Sequence, residues 1–165
     1  MKSSRLVVIA ILVLAGFFLF STAWLKSAVK SFEQKTGRQK TQVEYLTSPE
    51  RATAPFSEAV RVGNLLFLSG QLGRDPATGK LAEGGIEAET RQCLENIKKT
   101  LEKHGSSLDR VVKATVMLAD IGEWAKMNSV YTAYFATNKP ARSAFGVSGL
   151  AGGARVEIEV VAVLD

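Results

Sequence analysis

Two carboxylates set two residues apart inside an otherwise apolar strand constrain this chain more than any other feature. Residues 156–163 read VEIEVVAV. Side chains alternate across a strand, so Glu157, Glu159 and Val161 share one face and Val156, Ile158 and Val160 the other. Burying an unpaired carboxylate is unfavourable. One face of this strand therefore suits a core, and the other must meet water, a cation or a ligand. A glycine-rich turn joins this strand to an earlier one, PARSAFG, with Arg142 near its start. If Arg142 and Glu157 faced one pocket, they would supply a fixed fork for a carboxylate and an acceptor for a proton. A purely structural Arg–Glu pair is the competing reading of the same two residues.

The chain has 165 residues, enough for one domain and a tail. Its formal charge of +5 is unevenly placed. Residues 1–40 carry seven cations and one acid, and the remainder nets −1. The body has no charge excess with which to grip a phosphate backbone, so nucleic acid is not an expected partner. The single cysteine, Cys93, excludes an internal disulfide, and no Cys/His cluster suggests a metal site.

Near the start, LVVIAILVLAGFFLF (residues 6–20) follows Lys2 and Arg5. With Ser21 to Leu25 it approaches the length of a bilayer-spanning helix, with Trp24 at the interface. The expected organisation is a membrane anchor or signal peptide over 1–25, a basic linker over 26–40 and a body over 41–165. Small residues at Ser21 and Ala23 fit cleavage after Ala23, which would export the body. Five cations after the apolar run, against two before it, favour a retained anchor with the body on the cytoplasmic side.

The body predicts a short strand near 43–46 and a hairpin of 59–62 and 65–69 around Gly63-Asn64. Apolar spacing predicts a helix from Ile86 to His104, stopped by Gly105. Cys93 lies on its apolar stripe and reads as a packed small hydrophobe. His104, the only histidine, falls in the last turn, which leaves no credible Ser-His or Cys-His catalytic arrangement. Residues 111–118 read as a strand. Asp120 and Glu123 have capping-box spacing before a helix reaching about Phe135, with Trp124, Met127, Val130, Tyr131 and Tyr134 on its packed stripe. Asn128 lies off that stripe, toward a pocket or water. The resulting β-β-α-β-α-β-β order predicts an α+β fold, a mixed sheet with two helices on one face. The other face needs cover that the chain lacks, so copies of the chain are expected to supply it.

Four stretches, SEAVRVGNLLFLSGQLGRDPATGKL, GGIEAETRQCLENIKKTLEKHGSSLDRVVKATVMLAD, NSVYTAYFATNKPARSAF and RVEIEVVAV, resemble the RidA (YjgF-type) imine/enamine deaminase family. The resemblance spans about residues 54–163 and excludes the N-terminal apolar run. It implies a chorismate-mutase-like fold, a homotrimeric barrel and a site in each cleft between neighbours. It also implies hydrolysis of 2-imino acids such as 2-iminopropanoate and 2-iminobutanoate to 2-oxo acids and ammonia, without metal or organic cofactor. Under it, Arg142 clamps the substrate carboxylate and Glu157 orients the water and relays its proton. Gly70 offers backbone hydrogen bonds, the Ala144 carbonyl helps hold the water, and Asn128 matches a polar position near the cleft. Phe56 stands where the family commonly has tyrosine, so a phenol hydroxyl is absent; Gly146 and Ala151 replace a common glutamate and proline. Rival readings are a non-catalytic carboxylate-binding or chaperone-like module, an RNA-cleaving activity, and deamination of another enamine such as 3-aminoacrylate.

Overall fold

The computed structural model describes residues 24–30, 41–49 and 52–164. The chain divides into two units, residues 1–40 and 41–165. In the first, residues 24–30 are helical, with Trp24, Leu25 and Val29 exposed. The apolar run 6–20 and the cleavage site after Ala23 lie outside the described residues. Among the described residues no helix is long and apolar enough to cross a membrane. The expected membrane localisation is corrected accordingly: a span needs about 20 apolar residues in one helix, and the described segment is a short one carrying Lys26 and Lys30.

The second unit is a mixed sheet backed by two helices. Strand β1 (Val43–Leu46) pairs antiparallel with β2 (Ala59–Val62), and β2 with β3 (Leu65–Leu68). Gly63, at φ +61°, makes the tight turn between β2 and β3. The second hairpin strand is shorter than expected. It stops at Leu68, the ladder breaks at Ser69 and Gly70, and β4 (Gln71–Leu72) pairs farther along β7 (Val156–Val163). Strand β7 also pairs antiparallel with β3 and with β5 (Val111–Leu118), and β5 pairs parallel with β6 (Ala141–Gly146). The order is β1-β2-β3-β7-β5-β6. The two C-terminal strands are thus not neighbours, because β5 lies between them. Residues 147–155 cross the end of β5, held by Val147 N–H to Leu118 O (2.9 Å) and Ala119 N–H to Arg155 O (3.0 Å).

Helix α1 (Gly85–Lys103) buries Ile86, Cys93, Leu94, Ile97 and Leu101, the stripe its spacing predicts. Helix α2 (Trp124–Tyr134) buries Met127, Val130 and Tyr131. Most of these side chains join Leu66, Leu68, Ala114, Val116, Leu118, Val156, Ile158 and Val160 in one core. Both helices therefore cover the same sheet face. The capping box takes another form: Asp120 accepts from Gly122 N–H at 2.8 Å within a 3-10 turn, Ile121–Glu123. Glu123 does not reach back to it, because its carboxylate binds Arg155 at 3.0 Å.

On the opposite face the register aligns Tyr45, Val60, Phe67 and Val161, and beside them Thr115 with Glu159 and Met117 with Glu157 and Phe145. Tyr45, Phe67 and Phe145 are exposed there.

Candidate functional site

Glu157 stands on the open face, opposite Leu72 of β4 on one side and Met117 of β5 on the other. Gly70 lies directly against it, since a Cβ built on Gly70 would collide with the Glu157 carboxylate. The break in the β3–β4 ladder is what brings this backbone to the acid. Ser69 fixes the break by donating its hydroxyl to Ser57 O at 2.7 Å and its N–H to Glu58 O at 3.1 Å. The loop carrying Phe56 is thereby tied beside Gly70. Phe56 itself is 51% exposed and lines an open groove with Ser48, Pro49 and Pro55.

Burial, and then the like charge of Glu159 on the same face, raise the Glu157 carboxyl above its ordinary value. That shift suits a group that must accept a proton. Nearby Cys93 is unsuited to chemistry. Its thiol donates to Gln71 O at 3.0 Å, and complete burial pushes its pKa far up.

Arg142 occupies the other face. It pairs with Ala114, and Ala144 pairs with Val116, so both lie on the side that the helices cover. The guanidinium carbon sits 4.5 Å from the Tyr131 ring centroid and 5.7 Å from that of Trp124. These residues line an open cleft of about 440 Å³ together with Asn128, Phe135 and Lys139. Ala144 is half-buried against the core, one alternation farther along β6. Tyr131 is 4% exposed, and its hydroxyl lacks a hydrogen-bond partner among the described residues. Burial pushes that phenol up to about 12, so it stays neutral. Trp124, expected on the packed stripe, is instead 40% exposed at the cleft.

The sequence-predicted residues thus fall into two groups. Gly70 and Glu157 touch, with the Phe56 loop pinned beside them. Arg142 and Asn128 share the cleft across the sheet, and Ala144 lies on that face farther along β6. The expectation of Arg142 and Glu157 in one pocket is corrected for a single chain, because the register places them on opposite faces of strands separated by β5. Among the described residues neither makes an ion pair, so the structural Arg–Glu pair is not formed within the chain either.

Two supports of the site lie outside the residues expected from the sequence. Trp124 and Tyr131 stand seven residues apart, two helical turns, on the stripe that the spacing assigns to packing, whereas their rings face Arg142. Arg155 N–H donates to buried Glu89 at 2.8 Å while the Arg155 side chain binds Glu123, which ties the start of β7 to both helical segments. Nothing in the local pattern around Arg155 announces those partners. Among the described residues no cluster of His, Cys, Asp and Glu could hold a metal ion.

Residues 47–164 match the family described as endoribonuclease L-PSP. The chain belongs to this family, the RidA/YjgF family. The RidA-family chain is 46% identical over 121 residues to a RutC family protein of Pyrococcus horikoshii, covering 73% of this chain and 96% of that relative. It is 48% identical over 112 residues to the 2-iminobutanoate/2-iminopropanoate deaminase of Bos taurus, covering 68% and 82%. The crystal structure of the E. coli YjgF gene product superposes with a TM-score of 0.67 at 32% identity, covering 73% of this chain and 98% of that one. The RidA-family fold here is accordingly YjgF-like, α+β with a mixed sheet.

Proposed function

We propose that this protein is a RidA-type imine deaminase, a hydrolase of C–N bonds. Its substrates are 2-imino acids of the 2-iminopropanoate and 2-iminobutanoate kind, and its products are 2-oxo acids and ammonia. One observation carries the reading. A permanently charged guanidinium and a proton-avid carboxylate stand on opposite faces of one sheet, and neither has an opposite charge among the described residues. A pair kept for stability alone would neutralise itself within the chain. Two unpaired halves suit a site completed by a second copy, with a homotrimer as the assembly and residues 41–165 as the unit that forms it. Relatives named as deaminases, at 48% identity for the bovine protein, support the reaction class.

In this reading Arg142 of one copy holds the substrate carboxylate edge-on. Glu157 of the neighbour accepts a proton from water as the water oxygen bonds to the iminium carbon. The C=N π pair moves to nitrogen, the same acid returns the proton there, and as the C–N bond breaks and ammonia leaves the carboxylate takes the hydroxyl proton while C=O forms. Gly70 N–H and the Ala144 carbonyl hold the reacting groups in place, and Phe56 and Asn128 wall the cleft. The imine is already electrophilic, so positioning and one proton relay suffice.

The test uses the full chain and an amino-acid oxidase that releases imine in the presence of semicarbazide. Arg142→Ala should abolish suppression of the semicarbazone while leaving the oligomer intact. Unchanged turnover in that variant would rule out the assignment. The body's charge of −1 weighs against an RNA substrate despite the family's description.

A further inference from the structure

We infer that Tyr131, assisted by Trp124, is a positioning residue that fixes the Arg142 guanidinium for carboxylate capture through its ring and not its hydroxyl. The inference rests on the deaminase reading only for what the carboxylate belongs to.

Arg142 lies on β6, the terminal strand of the sheet. An arginine there has a long stem with many rotamers, and among the described residues no acid holds its head. The contacts that do hold it are aromatic, with Tyr131 at 4.5 Å and Trp124 at 5.7 Å from the guanidinium carbon. An aromatic face attracts a cation without consuming its N–H groups. A neighbouring carboxylate would also hold the head, but it would occupy the same donors that a substrate needs. Tyr131 and Trp124 therefore leave the arginine oriented yet unspent. Tyr131 is itself fixed, almost fully buried and packed on Phe135 with ring centroids 4.6 Å apart. Its hydroxyl has no hydrogen-bond partner among the described residues. The oxygen contributes nothing visible to this arrangement, whereas the ring forms one side of it.

The test measures binding of 2-oxobutanoate by calorimetry, alongside imine turnover, in the full chain. Tyr131→Leu should weaken 2-oxobutanoate binding and raise KM about two- to thirtyfold, the range of one cation–π contact from exposed to desolvated, with kcat little changed. Tyr131→Phe should restore the affinity, because it restores the ring. Trp124→Leu should weaken binding by less, since that ring is farther away and half in solvent. Parent-like affinity in a folded Tyr131→Leu protein overturns the inference. So does a Tyr131→Phe protein as weak as Tyr131→Leu, which would assign the effect to the hydroxyl. If Tyr131→Leu does not fold, parent-like affinity in Trp124→Leu overturns it instead. Ring-dependent binding of 2-oxobutanoate without imine turnover in the parent would uphold the inference and remove the deaminase reading.

Discussion

Gly70 and Glu157 touch so closely that one more carbon on the glycine would occupy the carboxylate's place. Gly70 has no positive φ that would demand glycine. The requirement is therefore one of space, imposed by the acid. The atoms that a methyl group would meet belong to the end of a flexible side chain and not to backbone, so the fold can absorb Gly70→Ala by turning Glu157 aside. We predict that Gly70→Ala keeps its melting temperature within a few degrees and loses about a hundredfold in kcat, the lower range for a misplaced general base. Turnover and thermal melts on the same preparation check this.

The pair Gly73 and Glu89 provides the contrast. A Cβ on Gly73 would meet the backbone of Glu89 in helix α1, which cannot turn aside. Gly73→Ala should destabilise the fold by about 1–3 kcal/mol, as forced overpacking does. Urea denaturation measures it. Together the two glycines separate a position required by the site from one required by packing.

Glu157 makes activity depend on pH in a stated direction. Its carboxyl lies above the ordinary value of 4.5, first through burial and then through Glu159. A base must be ionised to act, so kcat/KM should rise with pH along a limb centred above 4.5. Glu159→Gln removes the like charge and should move that limb to lower pH. It should not bring the limb fully to 4.5, because burial remains. A pH–rate profile of the two proteins decides it.

The same shift acts on stability with a fixed sign. A carboxyl raised in the folded state binds its proton more tightly there than in the unfolded chain. Stability therefore falls as pH rises from 4.5 through the raised value, and the loss is complete above it. Glu157→Gln should melt higher than the parent at neutral pH, with the difference vanishing below about 4.5. Paired melting curves across that range test the claim.

Much of this was legible in the sequence because it follows from period and turn chemistry. Alternation in VEIEVVAV put Glu157 and Glu159 on one face, and α1 buries the stripe its spacing predicts. What local pattern could not supply was strand neighbourhood. Insertion of β5 between β6 and β7 separates Arg142 from Glu157, and only the pairing register reveals it. Trp124 misled for a related reason. Helical spacing marks a stripe, but the stripe's end runs past the sheet into a cleft, where Arg142 lies over the ring in place of the core. The partners of Arg155 are distant in sequence, and its placement depends on the completed fold.

A mixed assembly tests the shared site most directly. Arg142→Ala and Glu157→Gln proteins, each inactive alone, would be co-expressed with separate tags and the doubly tagged oligomer purified. In a trimer that carries both tags, about a third of the clefts between copies would receive an intact Arg142 from one chain and an intact Glu157 from the next. The account predicts imine turnover recovering to about that fraction of the parent. Mixed oligomers as inactive as the two variants alone would contradict it.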